Sequence, residues 1–319
     1  GFVNRLKKLS TLGQYASEQG WDYGEGFIAG VRGQLSPGLH ITGQLLIEPR
    51  HLKDGVALSS LKKVTHHKFK SPYTSKRFQS PMVLVHEHED LTARYFSSGY
   101  YTYGHKIVGF CAGNGTPETT KFLAEWLDKN RRTLCALVCA GGTTMFTQRA
   151  SSVSLQNILS LPSPRQQLDL SIHEQVLVED IVDYYRDLVR LGEDSTAMKV
   201  TGITALPEFN DVFITRINSV YKKNKLRALE KHTWPGVICQ PYVFGKGKVD
   251  WTGADELKVK LDALLREKRG GGLNVTRIAR LYDGAFIYML KPDRLRYWLR
   301  SIALRDADET LADLAEQGF

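Results

Sequence analysis

PMVLVHEHEDLTARYFSSGYYTYGHKIVGFCAG, Pro81 to Gly113, is the stretch whose reading decides the fold of the first half of the chain. Its opening, PMVLVHE, is a short apolar run and reads as a strand. The segment LTARYFSSGYYTYGHKIVGF reads as a β-hairpin: a strand at Arg94 to Phe96, a turn at Ser97 to Gly99, then strand again. Upstream, DYGEGFIAG, VRGQLSPG and HITGQLLIEP alternate apolar pieces with glycines, which predicts short strands and turns. Downstream, PETTKFLAEWLDKNRRTLCALVCAGG predicts helix. Phe122, Trp126, Leu127, Leu134 and Leu137 recur at helical spacing, with a break near Lys129 to Arg132 and a stop at Gly141 and Gly142. The expected class is α+β, a mixed β domain accompanied by helices.

LQNILSLPSPRQQ, Leu155 to Gln167, reads as an apolar strand stopped by Pro162 and Pro164. Proline cannot donate to a ladder, and it restricts the residue before it. A helix is predicted from Ser171 to Leu191, with a stripe of Ile172, Val176, Ile181, Tyr184, Tyr185 and Leu188. Ser171 and Glu174 have capping-box spacing. Residues 193–206 read as an exposed joint around Ser195, Thr196 and Gly202. The rest is expected to form an α/β unit. It has a helix from about Pro207 to Lys231, a strand Val237 to Phe244, a helix Ala254 to Lys268 and, after Gly270 to Gly272, a strand Asn274 to Tyr282. A tight turn at Asp283-Gly284 leads into AFIYML, and a final helix runs from Pro292 through Leu314. The expected division is 1–168, a spacer helix over 169–192, a joint over 193–206 and a docking or accessory domain over 207–319.

The 319 residues are 42% hydrophobic and 24% charged, ordinary for a globular chain that can bury a sizeable core. No window approaches the roughly 18 apolar residues of a membrane span. The N-terminal GFVNRLKKLSTLGQY has no continuous apolar run behind it, which argues against a signal peptide. Cys111, Cys135, Cys139 and Cys239 form no CxxC pair, so a zinc ribbon is not expected. Cys135 and Cys139 share a helix face as small buried residues, and free thiols fit a reducing, cytoplasmic compartment. Net charge is +9, which permits a nucleic-acid or acidic partner without requiring one. Its distribution says more. LKKVTHHKFKSPYTSKRFQSPMVLV, Leu61 to Val85, contains no acidic residue.

From Lys62 to Leu191 the layout resembles the target recognition domains of bacterial DNA adenine-N6 methyltransferases and of type I restriction specificity subunits. The features in order are a basic HHKF, the strand PMVLVHE, the KIVGF strand, and helices like TKFLAEWL and RTLCALVCAGG. An extended TTMFTQRASSVSL, an ILSLPSP exit and a long helix complete it. The resemblance implies sequence-specific duplex DNA recognition within a restriction-modification or phage-defence system. The chain has neither the glycine-bearing cofactor loop nor the (Asn/Asp)-Pro-Pro-(Tyr/Phe) tetrad of those methyltransferases. It therefore reads as the non-catalytic part, with S-adenosylmethionine expected only on an upstream module or a partner methyltransferase or defence-complex subunit.

Candidate DNA contacts follow from residue type. Lys62, Lys63, Lys68, Lys70, Lys76 and Arg77 can neutralise phosphates, and His66, His67 and Tyr73 can add hydrogen bonds. Tyr101 and Tyr103, beside Lys106 and near Tyr100 and His105, can stack on bases if they face outward, and form core if inward. Thr143, Thr144, Gln148 and Arg149 follow a helix-ending glycine pair, and Gln and Arg can read adenine and guanine. HEHED, His86 to Asp90, puts His86 and His88 on one strand face but leaves a third metal ligand unnamed, so a strand end entering a polar loop is the expectation. Lys246 and Lys248 lie in a GKGK loop without Walker spacing. In the last helix Arg294, Arg296, Arg300 and Arg305 mix with Asp306, Asp308 and Glu309, a solvated or docking face. A rival enzyme reading, a nuclease, would draw on Asp250, Glu267 and Asp283. A second rival is a structural subunit meeting RNA or protein.

Overall fold

A computed structural model describes residues 2–29, 35–53, 55–113, 115–141, 152–252, 259 and 278–318. The chain is α+β and divides into two units, Gly1–Glu174 and Gln175–Phe319.

The first unit holds strands β1 (Asp22–Glu25), β2 (Ile28–Ala29), β3 (Ser36–Pro37), β4 (Leu45–Ile47) and β5 (Lys62–Lys63). They are followed by β6 (Lys68–Lys70), β7 (Met82–His86), β8 (Ala93–Phe96), β9 (Tyr101–Tyr103) and β10 (Ile107–Cys111). The main sheet is antiparallel in the order β1-β10-β7-β8. Alternation along β7 sends Met82 and Leu84 into a core with Phe27, Phe69, Phe78 and Phe96. Val83 and Val85 take the other face, where the helix Pro117–Lys129 packs on β7 and β8. All four side chains are buried, which is why the strand reads as a continuous apolar run. Each contributes about 1.5–3 kcal/mol by leaving water.

The expected hairpin across Ser97 to Gly99 does not form. β8 pairs with β7, whereas β9 leaves for a small sheet, order β5-β4-β9, and pairs with β4 in parallel. Gly99 takes φ +106, and the chain there crosses between sheets. A third sheet runs β2-β6-β3. Tyr103 is fully buried, and its hydroxyl donates to the Arg77 carbonyl at 3.1 Å. It occupies the space beside Gly26 and Gly109: a Cβ at Gly26 would meet the Tyr103 carbonyl oxygen at 1.9 Å, and one at Gly109 its hydroxyl at 1.9 Å. Phe122 points outward, and Thr120, Leu123, Trp126 and Leu127 form the buried stripe of its helix.

LQNILSLPSP is not a strand. Ser154 caps a short helix, Leu155–Leu159, and Pro162 makes only an isolated bridge with Thr11. The Ser171–Glu174 capping box is present, with Glu174 N–H donating to Ser171 Oγ at 3.2 Å and Ser171 N–H to the Glu174 carboxylate at 2.9 Å. The helix it starts leaves Ile172 exposed and buries Val176 and, one turn on, Asp180, before a π-turn at Ile181–Tyr185. Asp180 accepts the Ser301 N–H at 2.6 Å. It thereby caps the helix Arg300–Glu316, whose own N-cap position is Leu299. Within 193–206 Thr196, Gly202 and most of their neighbours are exposed, as expected, but Ser195 and Ala197 are fully buried and Thr201 N–H donates to Asp293 at 3.0 Å. The two units part after Glu174.

The second unit carries β11 (Leu226–Ala228), β12 (His232–Trp234), β13 (Val237–Phe244), β14 (Ala279–Asp283) and β15 (Phe286–Pro292). Among the described residues every pairing in its sheet is antiparallel, where an α/β unit was expected: β11-β13-β15-β14, with β12 also on β13. The helix Ala205–Val220 ends well before Lys231 and sets Leu206, Phe209, Phe213 and Ile217 against Ile238, Tyr242 and Met289. The final helix begins at Arg300 rather than Pro292. Asp283 pairs with Phe286 across the expected tight turn, where Gly284 takes φ +54. Apart from Val259, the helix expected at Ala254 to Lys268 lies outside the described residues, as does the start of the strand at Asn274.

Pro241 sits inside β13, a strand paired on both sides. Its carbonyl accepts the Leu229 N–H at 2.9 Å, and the return bond to Leu229 is one that proline cannot make. The buried Gln240 side chain makes it instead, donating Nε2–H to the Leu229 carbonyl at 2.8 Å.

Candidate nucleic-acid interface

Strand alternation decides which members of the basic stretch face water. On β6, Phe69 is buried edge-on against Phe27 at 5.0 Å, which forces Lys68 and Lys70 outward. β5 pairs only with β4, so Lys62 and Lys63 lie on an edge strand and are exposed. His66, His67, Lys76, His105 and Lys106 are also exposed. Among the described residues no carboxylate lies within ion-pairing distance of Lys62, Lys63, Lys68, Lys70, Lys76 or Lys106.

Lys62, Lys63, His66, His105 and Lys106 rim one cavity of about 330 Å³. Its floor is apolar, built from Phe27, Leu46, Ile47 and Ile107. Glu48 is the acidic residue on its wall and is paired with Arg50 at 2.7 Å. β6 adjoins through β2, since Phe69 pairs with Ala29 and Ala29 lines the same cavity. A cationic rim over an apolar floor is complementary to a nucleotide, with phosphate at the rim and sugar or base toward the floor. Lys76 is not part of this group and borders a different concavity with Asp22 and Gln79.

Two candidates are withdrawn from the surface. Tyr103 has no exposed ring to stack, and burial raises its hydroxyl pKa well above the tyrosine value. Arg77 is committed internally: its guanidinium is ion-paired with Asp22, donates to the Glu25 carbonyl at 3.0 Å and lies 4.5 Å from the Tyr73 ring centroid. Tyr73 itself stays exposed, with φ +54. Tyr101 is half-buried and packs on Phe96 at 5.2 Å. Thr143, Thr144, Gln148 and Arg149 lie outside the described residues.

The HEHED segment is a strand end entering a polar loop, as expected: His86 closes β7 and the following residues connect it to β8. His86 and His88 stack with ring centroids 5.1 Å apart, and both direct Nδ1 at Asp90. Across from them Glu87 is pushed up to about 8, first by burial and then by the neighbouring Glu25 carboxylate. Among the described residues neither Asp250 nor Asp283, the nuclease suspects, joins a cluster of other acids. Asp250 is exposed and bonded to Thr252, Asp283 closes the β14–β15 turn, and Glu267 lies outside the described residues.

Sequence reasoning missed one basic group. Lys222, Lys223 and Lys225 are exposed just before β11, and the Gly245 N–H donates to the Lys225 carbonyl at 3.2 Å. This brings them beside Lys246 in the GKGK loop. The acid-free run YKKNKLR was the signal. All four cysteines are buried, and burial pushes Cys111 and Cys239 up to about 12, away from reactive thiolate behaviour. Among the described residues no helix is long and apolar enough to cross a membrane. No protein-family model matches this chain, and no curated protein shows significant similarity to it.

Proposed function

We propose that the first unit binds duplex DNA as the non-catalytic reading part of a restriction-modification or phage-defence DNA methyltransferase. The observation that carries this reading is the set of exposed, unmatched lysines gathered around one apolar-floored cavity, Lys62, Lys63 and Lys106 with His66 and His105, and extended by Lys68 and Lys70. The layout from Lys62 to Leu191 supports the methyltransferase context. S-adenosylmethionine and the methyl-transfer chemistry would belong to a separate module or subunit.

Phosphate contacts position a protein on the duplex without reading sequence. The test is a fluorescence-anisotropy titration at several salt concentrations, on preferred and scrambled duplexes. Changing Lys62, Lys63 and Lys106 together to Ala should weaken binding to both alike. The log–log salt slope should flatten by up to about 0.9 for each phosphate that is no longer neutralised. Gln148→Ala or Arg149→Ala should instead cost roughly 1–3 kcal/mol on the preferred site only. An unchanged slope in the triple variant, with its circular dichroism intact, would leave these lysines as mere guards of a sheet edge. Equal binding to duplex DNA and unstructured RNA would favour the structural-subunit reading.

A further inference from the structure

The β7–β8 connection carries three potential donors at alternate positions, His86, His88 and Asp90. His86 ends β7, and the chain then bends and turns through Glu89 and Asp90, so the turn gathers them. The sequence offers two imidazoles there, and the fold supplies the third donor by closing the loop back toward β8. His86 Nδ1 lies 3.7 Å and His88 Nδ1 3.3 Å from the same Asp90 oxygen, Oδ1. The potential ligand atoms of all three residues fall within 4.8 Å of one another. A tetrahedral zinc site with bonds of about 2.0–2.1 Å holds neighbouring donors about 3.3–3.4 Å apart. The two histidine–aspartate separations are thus close to the spacing between corners of such a site, and the histidine–histidine separation is at most 4.8 Å. All three are partly exposed, so the fourth corner faces solvent.

The turn that carries them is held by backbone bonds. His86 N–H donates to the Thr92 carbonyl at 2.8 Å, and Leu91 N–H to the His88 carbonyl at 2.9 Å. Glu87 N–H donates to the Lys106 carbonyl at 2.9 Å. Leu91 takes φ +46, a left-handed conformation that a leucine adopts only when its surroundings impose it. Asp90 Oδ1 also accepts the Thr92 N–H at 3.2 Å, which fixes the carboxylate in the manner of an outer-shell partner. An ion would take the place of the His86 and His88 Nδ1 contacts with Asp90 and of the long 3.4 Å contact from the Asp90 N–H to His88 Nδ1.

We propose that His86, His88 and Asp90 bind one divalent transition-metal ion of the zinc class. Two imidazoles and one carboxylate suit such an ion better than calcium or magnesium, which prefer all-oxygen shells. No thiolate is involved, because the cysteines are buried elsewhere in the fold. The site stands independently of the DNA reading. Through the Glu87–Lys106 backbone bond, an ion here would also stiffen the loop that carries Lys106.

The experiment is a Co²⁺ titration of the full, tag-free, chelator-stripped chain near neutral pH, followed by visible ligand-field absorption. One equivalent should saturate an intense four-coordinate band, and Zn²⁺ should bleach it. His88→Ala and Asp90→Asn should each weaken affinity at least tenfold, the lower end of what even outer-shell changes cost. The doubly substituted His86→Ala/His88→Ala chain should lose the band, and His105→Ala should keep it. Asp90→Asn retains side-chain size and the oxygen that accepts from Thr92, so it reads the donor charge without dismantling the turn. No band in the intact chain, or an affinity unchanged by Asp90→Asn and His88→Ala, overturns the proposal.

Discussion

Lys62 and Lys291 show what separates the two units. Lys62 stands on an edge strand in water, with no carboxylate in reach among the described residues. Lys291 is 1% exposed and fully matched: it is ion-paired with the buried Asp306, donates to the Tyr297 carbonyl at 2.8 Å and lies 4.0 Å from the Phe209 ring centroid. The neighbouring arginines of the second unit are matched as well, Arg216 with Asp308, Arg280 with Asp313 and Arg300 with Glu179. The net charge of +9 comes mostly from the first unit, 20 Lys and Arg against 13 Asp and Glu over residues 1–174, whereas residues 175–319 hold 23 against 21. In the second unit Lys291 and these half-buried arginines are balanced by carboxylates. Around the first unit's cavity positive charge is left over from folding and directed at solvent.

The strongest way to break this contrast is to remove Lys291. Lys291→Met strands the Asp306 carboxylate in the core and should cost about 3–5 kcal/mol in urea unfolding, whereas Lys291→Met with Asp306→Leu should recover most of it. A single-variant loss below about 1 kcal/mol would put Lys291 in the same category as Lys62. In the first unit the corresponding weak point is steric. Gly109→Ala drives a methyl into the Tyr103 hydroxyl and should destabilise by about 1–3 kcal/mol, read as a lowered melting temperature.

The third prediction uses pH. Burial pushes the Lys291 ammonium down to about 8 despite its pairing with Asp306. The unfolded chain keeps the ordinary lysine value of 10.5, so between these limits it binds more protons than the folded chain. Stability must then rise with pH, by at most about 1.4 kcal/mol per unit, starting near pH 8. Unfolding of the parent chain minus that of the Lys291→Met/Asp306→Leu chain isolates this slope, and a flat difference from pH 8 to about 10 would refute it. The smallest effect belongs to the surface. Lys62, Lys63 and Lys106 changed singly to Ala should each alter stability by less than about 0.5 kcal/mol, while together they flatten the salt dependence of DNA binding.

Features set by near neighbours were readable from the residues alone. β13 matches its apolar run at both ends, the Asp283-Gly284 turn forms, and Ser171 with Glu174 closes its capping box. Features set by distant partners were not. Nothing local tells Tyr101 to Tyr103 to pair in parallel with Leu45 to Ile47, and only that pairing turns Tyr103 inward. The Asp180 carboxylate that caps the last helix is of the same kind, since its partner, the Ser301 N–H, lies 121 residues away in sequence. For the basic surface, residue type was legible at once. Its sorting into exposed Lys106 and committed Arg77 depended on Asp22, far away in sequence.

Pro241 has a consequence for how the second unit meets other chains. Because its missing donor faces the β11 and β12 side, that border cannot form one continuous ladder on β13. It is divided instead into two strands of three residues each, with Gln240 closing the seam from within. An intruding strand that sought to add itself there would find no long row of open amides and carbonyls. Short, interrupted borders of this kind are how sheets resist edge-to-edge aggregation. The same proline that looks like a flaw in the middle of a strand thus keeps the sheet from growing into its neighbours.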